Sequence, residues 1–440
     1  MARSIPRRRS HGLAALLCTA PLVAPVAATD LAQFGAGVPS IELPALNATE
    51  QRWAADPASI PGPLRLGFGR LVPVDDAVAA FAPARWHRTL NDGHVAAVRL
   101  RSPGALGLRI GLTAAALPSA ALLGFFNAKG AIVAAFAGVE LNTAGGQFWS
   151  PLVRGDAAVV AVGLPPGTKP ALVRLSLWQV SHLVRWLVDH ADTAASADSA
   201  CRLDVACYPD WEPTSRATAL LVYTDQTGGT GTCTGTLLRD TDPTTEVPYV
   251  ITAQHCVPNQ DRAASVEAVW FHRDSRCGSR IGLPVQSVGG GAELLYSDPL
   301  ADVSLLRLRR APPAGAVFAD WSLHLPEPGG AVASVHHPRG LRQAIAFGSV
   351  TSMVPCAEVP LCEGGGADDA GHYLRVRWEQ GRTDVGSSGS GLFLPSGELV
   401  GVLSGGFGDC AGTPGPDHYG RFDLAYRAGL SRWLGRAMTR

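Results

Sequence analysis

All but one of the nine cysteines of this 440-residue chain lie after residue 200. Cys18 stands near the start, and the other eight are Cys201, Cys207, Cys233, Cys256, Cys277, Cys356, Cys362 and Cys410. An even number is typical of disulfide-bonded domains from oxidising compartments. Metal binding is the alternative, but there is no Cys-x-x-Cys pair and no matched Cys/His pairing, so we expect no metal site. The uneven distribution predicts two halves that are built differently.

The first 29 residues have the features of an export signal. Three arginines at residues 7–9 precede an apolar run from Leu13 to Ala27, and small residues at 26–28 suit a cleavage site. Pro21 and Pro25 argue against the alternative, a retained membrane anchor. No later segment approaches about 20 uninterrupted apolar residues. We therefore expect a secreted protein, periplasmic or extracellular, with no membrane contact after export.

Composition favours an all-β protein. The chain holds 50 glycines and 33 prolines, which suits many short strands and turns. The 37 basic and 37 acidic residues balance, so nothing indicates a nucleic-acid partner. Residues 30–190 alternate apolar stretches with turns and predict a β-sandwich-like domain. Its clearest strands are Val95–Leu100, Leu108–Leu112 and Val173–Leu177, with a hairpin turn at 127–130.

Residues 191–200, with the sequence ADTAASADSA, are polar and small and predict a linker. Residues 201–440 then form the second domain. Its predicted strands are Ala219–Tyr223, Cys233–Leu238, Tyr249–Thr252, Val303–Leu308, Tyr373–Trp378 and Leu399–Leu403. An amphipathic stretch from Leu424 to Met438 predicts a closing helix. Two packed antiparallel β-barrels account for this pattern.

Three short strings in this half carry chemistry. They are TAQHC at 252–256, LADVSLL at 300–306 and GSSG at 386–389, and they supply His255, Asp302 and Ser388. A serine hydroxyl is a weak nucleophile until an imidazole takes its proton, and the imidazole needs a carboxylate to fix its tautomer. The alternatives are a core histidine, an aspartate that only caps a turn, and Ser387 or Ser390 as the nucleophile.

These strings resemble the lysyl endopeptidases, secreted bacterial serine proteases of the trypsin superfamily. Further similarities are CTGTL at 233–237, the opening pair Cys201 and Cys207, HHP at 336–338 and DHYGR at 417–421, so that the resemblance covers about residues 198–435. It implies a monomeric protein with a trypsin-like double barrel. Such a protein uses no cofactor and acts on proteins or peptides.

The resemblance also implies roles for individual residues. His255 is the general base, Asp302 orients it, and Ser388 is the nucleophile. The N–H groups of Gly386 and Ser388 form the oxyanion hole. Asp417 is the acid of the pocket that binds the substrate side chain, and Ser404 and Gly405 belong to the substrate-binding wall.

Other residues depart from the family pattern. Arg382 stands six residues before the nucleophile, where animal trypsins carry their pocket acid, and its charge would repel a basic side chain. Glu363 and Ser404 stand at about the places of the stacked tryptophan and histidine of strictly lysine-specific members. Gly391 replaces a proline. Ser387, rather than aspartate, precedes the nucleophile, so the buried ion pair that activates trypsinogen is not available. Lysine and arginine preferences are therefore both left open.

The resemblance implies three disulfides, Cys201–Cys410, Cys207–Cys277 and Cys233–Cys256, and leaves Cys356 to pair with Cys362. Each typically contributes a few kcal/mol of stability. It also implies that residues 30–190 are a pro-region that acts in cis to assist folding and mask the active site. The linker has no Lys or Arg after Arg185. We expect that another protease cuts it or that the domain is retained.

The sequence thus predicts a secreted serine endopeptidase that cleaves after Lys or Arg through an acyl-enzyme. Two alternatives remain at this stage. One is a catalytically inactive binding protein with a protease fold, and the other is an endopeptidase whose pocket prefers non-basic side chains because of Arg382 or Ser404. The adjacent His336 and His337 invite a metal interpretation, but no carboxylate spacing nearby supports it.

Overall fold

The computed structural model describes residues 38–57, 64–142, 146–187, 201–355, 371–406 and 415–436. The predicted signal peptide, the linker at 191–200, and Cys356, Cys362, Glu363 and Cys410 lie outside these ranges. Over the described ranges, no helix has both the length and the apolar character needed to cross a membrane.

The N-terminal half consists of eleven described strands and three short α-helices. The strands are β1 (Ser40–Glu42), β2 (Arg65–Leu71), β3 (His87–Arg88), β4 (His94–Arg101), β5 (Gly107–Ala116), β6 (Leu122–Asn127), β7 (Ile132–Ala137), β8 (Gln147–Trp149), β9 (Val153–Arg154), β10 (Ala157–Leu164) and β11 (Arg174–Leu183). The helices are α1 (Ala48–Ala55), α2 (Val74–Ala79) and α3 (Gly138–Asn142).

These strands form two layers. One sheet has the order β1-β4-β10-β6-β7, with β3 on β4, and the other contains β2-β11-β5-β8. Strand alternation turns Val98 and Val160 of the first sheet and Ile110 and Val180 of the second into one buried apolar core. The β-sandwich predicted for this half is confirmed.

The C-terminal half contains fourteen described strands. They are β12 (Leu203–Asp204), β13 (Thr218–Thr224), β14 (Thr230–Leu238), β15 (Tyr249–Ala253), β16 (Glu267–Trp270), β17 (Gln286–Val288), β18 (Ala292–Asp298), β19 (Val303–Leu308), β20 (Ala331–His336), β21 (Ala344–Val354), β22 (Tyr373–Gln380), β23 (Gly391–Phe393), β24 (Leu399–Gly406) and β25 (Asp417–Arg421). Short helices α4 (Glu212–Ala217) and α5 (Gln260–Ala264) lie between strands.

The strands build two antiparallel units, as predicted. The first, an open barrel, has the order β17-β16-β13-β14-β15-β19-β18. In the second, β21-β20-β23-β24-β25-β22 closes on itself because β22 pairs with β21. A shared core joins the two barrels: Ile251 and Val303 of the first contact Phe393 and Val402 of the second. The all-β, trypsin-like double-barrel prediction is confirmed.

The closing helix predicted over Leu424–Met438 starts two residues earlier. It consists of α6 (Phe422–Ala425), a π-helical turn (Tyr426–Leu430) and α7 (Ser431–Leu434). Its buried residues Phe422, Leu430 and Leu434 pack into the core shared by the barrels. The helix therefore fixes the strands that lead to the site described below.

The two halves of the chain share one sheet. The beginning of β14 pairs with β2 of the sandwich, with Thr230 opposite Gly67, while its end pairs with β15. Arg109 of the sandwich is buried and donates to Thr224 Oγ1 (2.8 Å) and the Ser265 carbonyl (2.6 Å). These contacts attach the N-terminal half to the first barrel through β14 and the end of β13.

Candidate active site

His255 and Asp302 meet because their strands are paired. Ala253, the last residue of β15, is opposite Val303, the first residue of β19, so the residues just outside the two strands are neighbours. His255 donates its backbone N–H to Asp302 Oδ1 (2.8 Å), and its Nδ1 lies 2.7 Å from Oδ2. Asp302 has a positive φ of 51°, and the turn is held by a bond from the Gln254 N–H to the Asp302 carbonyl (3.1 Å).

This geometry sets the tautomer of His255. A carboxylate oxygen can only accept, so Nδ1 carries the proton and Nε2 is left as the basic nitrogen. Asp302 is 7% exposed and the His255 side chain is 36% exposed, so the acid is shielded while the base reaches solvent. Such a pair orients the imidazole and stabilises its charged form.

Ser404 of β24 also binds Asp302. Its hydroxyl donates to Asp302 Oδ2 at 2.5 Å, across the boundary between the barrels. From the sequence, Ser404 was expected to line the substrate-binding pocket and to affect its preference. The structure adds a direct contact with the Asp302 carboxylate, from a residue 102 positions away in the chain.

Ser388 lies on the loop before β23, and this loop packs against the strand that leads to His255. The Ser388 carbonyl accepts from the Thr234 N–H (2.8 Å) and lies 3.9 Å from Cys256 Sγ. A Cβ on Gly389, whose φ is +85°, would lie 2.2 Å from Thr252 Oγ1. Only glycine allows this approach.

The three serines of the loop differ in accessibility. Ser387 and Ser390 are fully buried, and their hydroxyl groups bond to His336 (2.8 Å) and Ser334 (3.1 Å). Ser388 is partly exposed, and its hydroxyl makes no hydrogen bond within the described part of the chain. Ser388 is therefore the serine of this loop that is free to react.

The N–H groups of Gly386 and Ser388 are also free. Neither donates to any group in the described ranges, whereas the neighbouring Ser387 and Gly389 N–H groups bond to the Asp384 and Leu403 carbonyls. Gly386 has a φ of +93°, a conformation natural to glycine. Two unpaired N–H donors, separated by one residue and close to an accessible hydroxyl, are suited to bind an oxyanion.

Asp417 starts β25 and contacts two segments that are close to Ser388 in the chain or in the sheet. It is opposite Gly406, two residues after Ser404, and accepts from Thr383 Oγ1 (2.5 Å), five residues before Ser388. Trp378 Nε1 donates to the same oxygen, Oδ2, at 2.6 Å. Over the described ranges, Oδ1 accepts no hydrogen bond.

The electrostatics of Asp417 suit a cation. The carboxyl group is 2% exposed, and burial raises its pKa to about 6, although the two hydrogen bonds and nearby Arg382 lower it. Arg382 therefore lies close enough to stabilise the ionised form. Gly405, the other residue assigned to the wall, is opposite His418 in the pairing of β24 with β25.

A metal at this site does not fit the donor set. Cys233, His255 and Cys256 have their potential ligand atoms within 4.8 Å of one another, but the two cysteines form a disulfide and offer no thiolates. His336 and His337 are buried, and their Nδ1 atoms contact Ser387 Oγ (2.8 Å) and the Leu341 carbonyl (2.9 Å). The pair faces protein groups through Nδ1.

Two of the expected disulfides are present, Cys207–Cys277 and Cys233–Cys256. The second ties β14 to the residue after His255. Cys201 is also disulfide-bonded, while Cys410, its expected partner, and the pair Cys356 and Cys362 lie outside the described residues.

The sequence pattern did not point to three residues of the site: Thr234, Trp378 and Thr383. Thr234 follows Cys233 and binds the Ser388 loop, and the other two bind Asp417. A weak signal existed for Thr383 because it shares a short loop with Ser388. Trp378 carried none, since an aromatic residue in a strand is ordinarily a core residue.

An open and a closed antiparallel β-barrel, with a histidine–aspartate pair from one and a free serine from the other, define a serine endopeptidase. The comparisons identify its family. Models described as "Lysyl endopeptidase, C-terminal domain" and "Lysyl endopeptidase N-terminal domain" match residues 195–420 and 39–184. The lysyl endopeptidase of Pseudomonas aeruginosa is 30% identical over 406 residues, which is 87% of this chain and 84% of that protein. The chain belongs to the lysyl endopeptidase family.

Solved structures are more distant. The HtrA-type protease AlgW with a tripeptide is 16% identical, with a TM-score of 0.35, over 50% of this chain and 62% of that chain. The serine endoprotease from Yersinia pestis is 17% identical, with a TM-score of 0.33, over 50% of this chain and 64% of that one. The chain thus spans less than two thirds of each of these two structures.

Proposed function

We propose that this protein hydrolyses peptide bonds after Lys or Arg by a His255–Asp302–Ser388 triad and an acyl-enzyme. The observation that carries the proposal is the bond from His255 Nδ1 to a buried Asp302 carboxylate, beside a serine loop that offers a free hydroxyl and two free N–H groups. The family relationship supports the same reaction class.

The chemistry follows from these positions. His255 Nε2 takes the Ser388 proton as Oγ attacks the scissile carbonyl, and the oxyanion binds the Gly386 and Ser388 N–H groups. The imidazolium, stabilised by Asp302, then gives that proton to the leaving amine, which leaves an ester on Ser388. Water repeats the sequence and releases the acid. Each oxyanion donor typically contributes on the order of 3 kcal/mol to the barrier reduction.

Asp417 supports the preference for basic side chains. Its Oδ2 is held by Trp378 and Thr383, and Oδ1 remains to accept a substrate ammonium or guanidinium. A cation would form a charge-assisted bond there and would offset the cost of a buried carboxylate. Arg382 also interacts with the Asp417 carboxylate and partly offsets its negative charge. This favours a modest rather than an absolute preference for basic side chains.

The N-terminal half serves as the pro-region in cis. It adds β2 to β14 and inserts Arg109 beside Ser265 and Thr224, which supports a role in folding of the first barrel. Its contacts lie on β13 and β14 rather than on the triad, so masking of the active site by the described residues has no support. The disulfides and the N-terminal signal features support secretion.

The test is a panel of peptides with Lys, Arg, Phe or Glu before the scissile bond. Wild type should cleave the Lys and Arg peptides, and Asp417→Asn should lose about 10²-fold or more of kcat/KM on these two alone. Asp320→Asn, an exposed surface change, is the control. Unaltered preference in Asp417→Asn would contradict the pocket assignment. A wild type that cleaves nothing and resists active-site labelling would favour the inactive binding protein.

A further inference from the structure

The loop that leads into Ser388 is held by one neighbouring segment, residues 336–340 (HHPRG), which we call the clamp segment. Arg339 makes two contacts with the loop. Its Nε donates to Asp384 Oδ2 (2.6 Å), and its backbone N–H donates to the Val385 carbonyl (2.6 Å). The Asp384 side chain is 3% exposed, so the ion pair fixes a buried carboxylate rather than a surface one.

His336 makes the second attachment. Its Nδ1 lies 2.8 Å from Ser387 Oγ, and the same oxygen accepts the Asp384 N–H (3.1 Å). Burial, with a smaller effect of Arg202, lowers the pKa of His336 to about 3. The ring is therefore neutral at ordinary pH, and its Nδ1 can accept a hydrogen bond from the Ser387 hydroxyl. Ser387 bridges the clamp segment and the start of the loop.

Thr234 completes the arrangement. Its hydroxyl donates to the Gly386 carbonyl (3.1 Å) and accepts the His337 N–H (3.1 Å), and its N–H donates to the Ser388 carbonyl (2.8 Å). The loop carbonyls are thus bound to protein groups instead of facing the site.

These bonds dictate where the oxyanion donors point. In a trans peptide unit, the N–H of one residue points opposite to the carbonyl of the residue before it. The Arg339 backbone N–H binds the Val385 carbonyl, which directs the Gly386 N–H the other way. The Arg339 side chain acts on the same bond indirectly, because its pair with Asp384 holds residue 339 against the loop. The Ser390 N–H binds the Ser387 carbonyl (3.0 Å) and does the same for the Ser388 N–H.

We propose that Arg339 and His336 are positioning residues that hold the oxyanion hole in its working conformation. They take the place of a buried N-terminal ammonium, for which position 387 offers no acidic partner. The inference rests on the proposed serine protease mechanism. It has a consequence for activation: the hole is formed in the uncut chain and does not wait for a new N-terminus.

The experiment compares Arg339→Ala with wild type in the full-length chain. Arg339 has a φ of 55°, and alanine meets the same backbone strain, so the variant removes the side chain and keeps the backbone N–H bond to the Val385 carbonyl. Arg239→Ala, which breaks an exposed ion pair with Asp320, is the matched control. In Arg339→Ala the buried Asp384 carboxylate loses its ion-pair partner. The double variant Arg339→Ala/Asp384→Asn removes that carboxylate charge as well.

Three assays are used. They measure kcat and KM on a lysine ester, the rate of Ser388 labelling by an organophosphate, and inhibition by a simple alkylamine. Phosphoryl transfer to Ser388 needs the hole but not the side-chain pocket, whereas the amine needs only the pocket. For Arg339→Ala we expect kcat and the labelling rate to fall together, on the order of 10- to 100-fold. Amine inhibition should stay within about twofold of wild type, and the double variant should recover part of the loss.

Two outcomes would overturn the inference. One is an unchanged labelling rate in Arg339→Ala, and the other is an equal loss of labelling and amine inhibition, which indicates general disruption. Failure of the proposed basic specificity is recognised separately, because wild type would still be labelled at Ser388 without cleaving Lys or Arg substrates. Arg339→Ala and wild type can then still be compared by their rates of Ser388 labelling.

Discussion

Asp417→Asn is expected to stabilise the fold at neutral pH while it removes activity on basic substrates. Burial is the largest influence on the carboxyl group and raises its pKa from 3.8 to about 6. An acid whose pKa is higher in the folded than in the unfolded chain stabilises the fold below its unfolded pKa. That contribution is lost as the pH rises through the folded pKa.

The size of the effect follows from the two pKa values. A shift of about two units corresponds to about 3 kcal/mol of unfolding free energy. Asparagine keeps an oxygen for Trp378 and Thr383 but does not titrate. The difference in unfolding free energy, variant minus wild type, should therefore rise by about 2 kcal/mol between pH 4 and pH 7, since part of the change occurs below pH 4.

The assay is urea unfolding from pH 4 to pH 7 in a Ser388→Ala background, which prevents self-digestion. Asp320→Asn, which removes an exposed carboxylate, is the control. A constant difference for Asp417→Asn would refute the reasoning. So would a fall with rising pH, because it would mean that the ionised carboxylate is better stabilised in the pocket than in water.

Three further predictions concern the rest of the structure. Asp302→Asn should lower kcat on an ester substrate by about 10⁴-fold with little change in KM, because Nδ1 of His255 loses its carboxylate acceptor. A change in KM with kcat unaltered would contradict this. Gly389→Ala should abolish activity and folding as followed by circular dichroism, since its Cβ would lie 2.2 Å from Thr252 Oγ1, whereas Gly130→Ala, with open space around it, should cost only about 1 kcal/mol. Arg109→Met should lower the free energy of unfolding by about 3 kcal/mol or more by leaving buried carbonyl and hydroxyl partners unsatisfied, and a loss below 1 kcal/mol in urea unfolding would show that this anchor is dispensable.

Much of the fold was predictable because local patterns agree with it. The strand Val303–Leu308 is mostly apolar (VSLLRL), and β19 has the same bounds. The hairpin turn at 127–130 also lies where expected, between β6 and β7. Such elements depend on side-chain periodicity and turn residues, which are properties of neighbouring positions.

Contacts between distant segments were not predictable. The pairing of β2 with β14 depends on which strand edges meet after folding, and β2 has no distinguishing pattern of its own. Arg109 would ordinarily be an exposed residue, yet three protein groups bind it in the interior. The bond between Ser404 and Asp302 joins two barrels. The histidine, aspartate and serine strings were recognisable, but the bonds that hold them join segments far apart in the chain, which no local pattern predicts.

Covalent labelling shows whether His255 activates Ser388. An organophosphate is incubated with wild type and with His255→Ala, and the modified peptide is mapped. We expect a single adduct on Ser388 in wild type and a labelling rate lower by on the order of 10³-fold or more in the variant. An adduct on Ser387 or Ser390, or a rate unaffected by loss of the imidazole, would contradict this expectation.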